Sequence, residues 1–261
     1  MSKPDHYFQN VSVLITHYNR SASLERLLQS LIQSGCNFAE VVVSDDASNF
    51  EHQETLKQIT EQYKIKLITT PKNGGLGNNI NKGQDRISTA YTLYLQEDFE
   101  AVPNFAEHLI DAIAIMEEHK ELDIARFYAY FKYPYLKSLS KGFSVMYFNP
   151  WLKGYRKFYE YSDHPHLRRN TFFHKFGRYA EGLNPEQTEY KMMVSFLQNK
   201  GKGIFYLDFK SLFVQRNTTD EPSTMKRSNL LRSETLIITI VRNLYRHIKF
   251  NFDYMFLKSR Y

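Results

Sequence analysis

Two acidic stretches have the residue types and setting for chemistry: Asp45-Asp46, within Ser44-Asp45-Asp46-Ala47-Ser48, and Glu97-Asp98, within Gln96-Glu97-Asp98. Each follows an apolar run, VVV in one case and TLYL in the other. Bare like charges beside one cleft are costly, and a bound metal or an amide-bearing ligand compensates them. Asp98 has no basic neighbour in sequence, and a hard cation such as Mg²⁺ or Mn²⁺ binds through one or two carboxylates plus phosphates. The plainer readings are a surface turn for Gln96-Glu97-Asp98 and turn or capping chemistry for Asp45. Asp163, His166 and His174 suggest a second metal cluster. Pro165 extends that loop, however, and no second carboxylate has ligand spacing, so structural or loop histidines are the better reading.

The elements that must position these residues follow from hydropathy. Runs over 11–16, 41–43, 66–69 and 91–95 read as strands. Helical spacing follows Ser21 or Ser23 through Leu24, Leu27, Leu28, Leu31 and Ile32 to Gly35. It recurs over 50–63, 80–90, 105–119 and 185–198, with a further strand over 203–207. Alternation of this kind predicts an α/β fold with a mostly parallel sheet flanked by helices. Ligands in such sheets bind beyond the carboxyl ends of strands, which singles out Thr16-His17-Tyr18-Asn19 and the two acidic stretches. The Gly/Asn loop over 72–79 lacks the third glycine and the position of a dinucleotide fingerprint, and lacks the Gly-Lys-Ser/Thr of a phosphate loop.

The 261 residues suit one or two domains. With 42% hydrophobic and 24% charged residues the chain is neither disordered nor a coiled coil. One cysteine, Cys36, excludes a disulfide framework and a cysteine-based zinc cluster and favours a reducing compartment. The first ten residues show no signal-peptide pattern, and no run reaches the ~20 apolar residues of a membrane span. The expected place is therefore the cytoplasm, or a membrane surface without crossing.

The net charge of +6 is unevenly spread. Residues 1–131 hold 11 basic and 18 acidic side chains, 132–178 hold 10 and 2, and 226–261 hold 8 and 2. Such local patches argue against a nucleic-acid partner and for an anionic ligand near 132–178. In the tail, Leu230, Leu231, Leu236, Ile237, Ile240, Val241, Leu244 and Ile248 recur at helical spacing among Arg232, Arg242, Arg246 and Lys249. A basic amphipathic helix of this kind suits an anionic membrane surface, or packs on the main domain or a second subunit.

In order along the chain, VSVLITHYNR, VVVSDDAS, NGGLGNNINKG and LYLQEDFEAVP resemble the family 2 nucleotide-sugar glycosyltransferases with the type-A fold. The motifs cover about 1–105. Thr16, Tyr18 and Asn19 match the end of the first strand, and Asp45, Asp46 and Ser48 the end of the second. Asn73, Gly75, Asn81 and Gly83 match the loop pattern, and Asp98 the last acid of an Asp-x-Asp cluster whose first position is Gln96 here. The resemblance implies that Thr16 and Asp46 contact the nucleotide base, that Asn79 and the glycines let backbone pass the donor, and that Asp98 holds a divalent metal, Mn²⁺ or Mg²⁺, on the diphosphate. Glu97 would orient the ribose or a metal-bound water.

The same resemblance implies a general base from an acidic pair opening a late helix, here the segment Gly182-Leu183-Asn184-Pro185-Glu186-Gln187-Thr188-Glu189-Tyr190. Asn184 can cap that helix with Pro185 first inside it. Glu189 lies on its partly apolar side, where desolvation raises a carboxyl. Tyr190 stands where the family often has Asp, so the order of candidates is Glu189, Glu186, then Glu181. Arg168, Arg169, Lys175 and Arg178 are candidates to grip a diphosphate or an anionic acceptor. Among the aromatics over 127–161, Trp151 is the first candidate to stack on a sugar ring.

The expected protein is an inverting glycosyltransferase moving a sugar from a nucleotide-diphosphate donor to a saccharide or lipid-linked acceptor in surface polysaccharide synthesis. Its catalytic domain would span 1–225, with a donor half over 1–105 and an acceptor half over 106–225, and 226–261 would form the tail. Gln96 and Tyr190 raise a rival, a catalytically silent carbohydrate- or nucleotide-binding relative. A sugar-phosphate nucleotidyltransferase would need an N-terminal Gly-rich loop with Arg and Lys, which VSVLITHYNR lacks.

Overall fold

The computed structural model describes residues 5–219, 221 and 236–258. Strand β1 (His6–His17) leads into helix α1 (Ser21–Gln33), β2 (Cys36–Asp45), α2 (Phe50–Tyr63), β3 (Lys66–Ile68), α3 (Gly75–Gln84) and β4 (Tyr91–Gln96). After β5 (Phe99–Ala101) and α4 (Phe105–Glu118) come β6 (Ile124–Arg126), β7 (Leu136–Ser138), β8 (Phe143–Met146) and a 3₁₀ turn, Tyr155–Phe158. The chain continues with β9 (His166–Arg169), α5 (Phe172–Phe176), α6 (Pro185–Gln198), β10 (Gly203–Tyr206), β11 (Phe213–Gln215) and α7 (Leu236–Phe256). Among the described residues no helix is long and apolar enough to cross a membrane.

The main sheet has the order β3-β2-β1-β4-β9-β6-β10-β8-β7, and β11 pairs with β5 in a separate two-stranded sheet. Strands β3, β2, β1 and β4 run parallel, β9 runs antiparallel between β4 and β6, and β10 again runs parallel to β6. The α/β architecture expected from the sequence is present, with helices on both faces. Val13 and Ile15 of β1 face one core and Leu14 the other, all fully buried. A strand covered on both faces reads as an unbroken apolar run, which is why β1 was visible in the sequence.

Helix α3 departs from expectation. It spans Gly75–Gln84 rather than 80–90, so it begins inside the Gly/Asn loop. The carboxylate of Asp46 accepts from the backbone N–H groups of Gly74 (2.8 Å) and Gly75 (2.9 Å), which satisfies donors that a helix start leaves open. The helix glycines let it lie close to its neighbours. A Cβ on Gly83 would meet Leu14 Cδ1 at 2.4 Å, and one on Gly77 would meet the Ala180 carbonyl oxygen at 2.3 Å. The latter contact is backbone and cannot rotate away. Gly77→Ala is therefore expected to cost about 1–3 kcal/mol from overpacking, read as a melting temperature lower by roughly 5 °C.

The region over 127–161, legible only as aromatic-rich, holds β7, β8 and the 3₁₀ turn. Phe143, Phe158 and Tyr161 are core side chains. In the tail, Leu230, Leu231 and Arg232 lie outside the described residues, and α7 begins at Leu236.

Candidate functional site

The carboxyl ends of β1, β2 and β4 lie side by side, with Thr16 in register with both Ser44 and Gln96. The tight bends that follow are held by side chains. Asp45 is fully buried and accepts from His17 Nδ1 (2.8 Å), Ser48 N (3.0 Å) and Ser48 Oγ (2.5 Å). Burial raises its carboxyl, but the bonds from His17 and Ser48 outweigh that and hold it below the usual carboxylate value. Ser48 Oγ also accepts from Asn19 N (2.8 Å), and Asn19 Oδ1 accepts from Asn49 N (2.7 Å). Asn19 and Ala47 sit at φ +52° and +59°, so two non-glycine residues hold left-handed backbone at this end of the sheet. Asp45, Ser48 and Asn19 thus build the rim, and Asp46 fastens it to α3. Lys82 reaches the Asp45 carbonyl oxygen, and burial lowers its ammonium below its ordinary value while Asp46 and Asp45 oppose that.

Thr16 is buried, and its hydroxyl is 3.1 Å from the Tyr94 hydroxyl. Tyr18 is half-exposed on the rim. Asn73 Oδ1 accepts from Gly75 N (3.2 Å). Asn79 Nδ2 donates to the His17 carbonyl (3.2 Å), leaving its buried Oδ1 without a partner. Asn81 is structural: it donates to the Tyr179 carbonyl (2.9 Å) and Glu181 (2.8 Å) and accepts from Tyr179 N (3.0 Å).

The acidic end of β4 is not bare. Arg20, 4% exposed and just past β1, sets Nη1 3.4 Å from Glu97 Oε1 and 3.5 Å from Asp98 Oδ2. Its Nη2 donates to Asn217 Oδ1 (2.9 Å) and the Glu221 carbonyl (3.2 Å). Gln215 on β11 donates to Asp98 Oδ2 (2.9 Å) and accepts from the Tyr130 hydroxyl (2.9 Å). Burial, with Asp98 alongside, pushes Glu97 up to about 8 against the pull of Arg20. Arg20 was missed in the sequence because Glu97, the nearest of its partners along the chain, lies 77 positions away. The usable signal was sheet adjacency: β1 and β4 are neighbours, so residues just past each share one end.

The donor set tests the implied cation. Asp98 supplies one carboxylate, Gln96 is neutral, and among the described residues no three His, Cys, Asp or Glu side chains converge. That set fits a cation held chiefly by a bound diphosphate with one protein carboxylate, as hard cations in phosphate sites are held. It does not form an all-protein cage, and Asp163, His166 and His174 do not form one either.

A second group of acids lies at the same end. Strand β9 runs antiparallel to β4 with His166 opposite Tyr94, so the chain before it runs along the carboxyl end of β4 and Asp163 comes level with Glu97. Asp163 N donates to Glu189 Oε1 (3.1 Å), and Tyr161 donates to Asp163 Oδ1 (2.7 Å). Burial and the neighbouring Asp163 push Glu189 up to about 8, opposed by the Asp163 N–H and Arg126. Burial pushes Asp163 up to about 6, against bonds from Tyr161 and the charge of Arg168. Glu189 remains half-buried, whereas Glu186 is exposed in the first turn of α6. Glu181 accepts from Asn78 (3.0 Å) and Asn81 and so braces α3. Tyr190 donates to Asp253 Oδ2 of α7 (2.5 Å).

Arg168 and Arg169 pair with Thr92 and Tyr91, toward the amino end of β4 and away from the acids. Arg168 is fully buried and donates to Gln84 Oε1 (2.7 Å) and Tyr179 (2.9 Å); Arg169 donates to the Leu122 carbonyl (2.7 Å) and Tyr91 (2.9 Å). Arg178 forms a two-pronged ion pair with Asp85, past the far end of α3 (2.7 and 2.8 Å). Lys175 pairs with Asp123 (2.7 Å). None of the four reaches the acidic end of the sheet. Trp151 is 91% exposed.

A profile of glycosyl transferase family 2 matches residues 12–180, more than half of the chain and all of the strands that carry these acids. The chain belongs to that family. Among curated proteins, an "uncharacterized glycosyltransferase" of Haemophilus influenzae is 25% identical over 103 residues, 40% of this chain and 34% of the relative's length. The chain thus spans about a third of that relative. Among solved structures, residues 1–349 of S. aureus TarS in complex with UDP-GlcNAc align with 92% of this chain and 73% of theirs, at TM-score 0.62 and 18% identity. GalNAc-T7 with UDP, GalNAc and Mn²⁺ aligns with 76% of this chain and 42% of its own, at TM-score 0.55 and 16% identity. At these identities the likeness is one of fold, the type-A glycosyltransferase fold that the motifs implied. In this member of the family Gln96, Glu97 and Asp98 stand at the end of β4, and Tyr190 follows Glu189 on α6.

Proposed function

We propose that this glycosyltransferase inverts the anomeric centre as it moves a sugar from a nucleotide-diphosphate donor to a saccharide or lipid-linked acceptor, in surface polysaccharide synthesis on the cytoplasmic side of a membrane. The observation that carries the reading is the meeting of two acidic groups at one end of the sheet: Glu97-Asp98 beside Thr16 and Asp46, and Glu189 over Asp163. We divide the chain into a donor half over 1–105, an acceptor half over 106–225 and the tail over 226–261.

In the donor half, Thr16 and Asp46 contact the nucleotide base with Tyr18 at its edge, Asp46 also holding the start of α3 through Gly74 and Gly75, and Asn79 lies beneath. Asn19, Ser48, Asn73 and Gly75 fix the backbone around it. Glu97 faces the ribose. Asp98 would hold the divalent cation, Mn²⁺ or Mg²⁺, which when bound neutralises charge on the departing diphosphate. Arg20 keeps the two acids from repelling one another. On the acceptor side the ionised Glu189 takes the hydroxyl proton as the acceptor oxygen bonds to the anomeric carbon. The carbon–oxygen bond to the diphosphate breaks, and the nucleoside diphosphate leaves with the electron pair. Glu186 is the reserve base, exposed at the helix start.

Nucleotide release from a panel of nucleotide-diphosphate sugars, with uridine donors first and Mn²⁺ added, tests the reading. Asp98→Ala is expected to lower release by about 10²-fold or more, as losing transition-state charge stabilisation does. A thermal-shift rise with nucleoside diphosphate plus Mn²⁺ should vanish in the same variant, since a ligand of the folded form stabilises by mass action. One observation favours a second reading. The Tyr190 phenol is tied to Asp253, and with Gln96 it removes two family acids. A silent binding relative would show the thermal shift with no release from any donor.

A further inference from the structure

Helix α7 has two faces of opposite character. One packs on the body: Phe250 is buried against Phe158 and Tyr190, Tyr254 meets Phe148 at 5.1 Å, and Asp253 accepts from Tyr190. On the opposite side Val241, Leu244, Ile248, Phe252, Met255 and Phe256 are 58 to 66% exposed. They recur at helical spacing and form one stripe along a helix of 21 residues. Trp151, the chain's single tryptophan, is 91% exposed, more than any other large apolar side chain among the described residues. The Lys157 ammonium joins the two, donating to the carbonyls of Pro150 and Leu152 around Trp151 and to Asn251 of α7 (3.4 Å).

We propose that this stripe and the Trp151 loop form one docking surface for an anionic lipid bilayer. The helix carries Arg242, Arg246 and Lys249 against one acid, Asp253, which is already paired with Lys249. A basic flank beside an apolar stripe is the pattern of a helix lying in the headgroup layer, and an indole favours the same depth. A second copy of the chain would set like charges against one another, which costs affinity. The face of α7 that holds Tyr190 lies next to Glu189. One helix diameter, about 10–12 Å, therefore separates the bilayer from the acceptor side of the cleft, and an acceptor anchored in lipid arrives beside the base. This last step rests on the assignment of Glu189 above.

The test uses the full chain with vesicles of phosphatidylcholine, alone or mixed with phosphatidylglycerol. Anionic vesicles are expected to pull the protein into the pellet and shift Trp151 emission to the blue, with added salt weakening both. The double variant Ile248→Glu, Phe252→Glu should lose about tenfold or more in binding while keeping its circular dichroism and its nucleotide-induced rise in melting temperature. No blue shift and no pelleting of the parent protein at low salt overturns the proposal. Unchanged binding of the double variant overturns it too. So does a dimer in light scattering that the double variant abolishes while neither protein binds vesicles, since the stripe then belongs to a second copy. Donor cleavage measured without vesicles is a separate readout: its absence would sink the enzymatic reading and leave the docking surface standing.

Discussion

Glu189→Gln is expected to lower acceptor glycosylation by about 10²–10⁴-fold, the usual contribution of a positioned general base, while nucleotide affinity holds. The amide keeps the shape and can still accept from Asp163 N, so loss of ionisation is isolated from loss of packing. The pH dependence identifies the group. Glu189 works ionised, and its carboxyl is pushed up to about 8, so kcat/KM should climb as pH rises through about 8. Asp163→Asn removes the neighbouring negative charge and should move that limb to lower pH. The stability effect has the opposite sign. A carboxyl raised in the folded state from 4.5 to about 8 favours folding when protonated, and stability falls as pH rises across that interval. Glu189→Gln cannot ionise and should therefore melt higher than the parent at pH 8. A variant as active as the parent, or a limb that stays put in Asp163→Asn, would remove Glu189 from the mechanism.

Arg20→Met should be the most destabilising of the single changes discussed. It leaves Glu97 and Asp98 buried with no cation, and Asn217 and the Glu221 carbonyl without their donor. Removing one partner of a buried ion pair costs about 3–5 kcal/mol, which for a chain of this size lowers the melting temperature by roughly 10 °C. Arg20→Lys keeps the charge but loses the fork that reaches both sides, so it should fall between parent and Arg20→Met. Differential scanning calorimetry of the three proteins decides it, and equal melting temperatures would show that another group neutralises the acids.

These two residues mark how far the sequence alone reaches. Strands β1, β2 and β4 were legible because both their faces are buried and they read as apolar runs, and Glu189 because its spacing sets it on the inner side of α6. Strand β9 was not legible. Its residues are His166, Leu167, Arg168 and Arg169, and nothing local says that an arginine belongs in a core. Arg168 is accommodated there because Gln84 of α3 and Tyr179 of the connection between α5 and α6 accept its donors. Arg169 and Arg178 likewise find their partners far away in the sequence, at Leu122, Tyr91 and Asp85. The start of α3 was misjudged for a related reason: a glycine pair is a poor helix opener until Asp46, just past β2, takes its N–H groups. In each case long-range partners decided what local propensity could not.

The strand β11 and the residues after it return to the beginning of the chain. Gln215 reaches Asp98, Asn217 reaches Arg20, and the Glu221 carboxylate accepts from Ala22 N (3.0 Å) and Ser23 N (2.8 Å) at the start of α1. During synthesis, Arg20 leaves the ribosome roughly 10–40 s before Gln215 does, at about 5–20 residues per second. Through that interval the nascent sheet holds its charges unclosed, and only the late segment seals them. A polypeptide that stops before 213 would thus span the whole family match over 12–180 and still lack the groups that close Asp98, Arg20 and the start of α1.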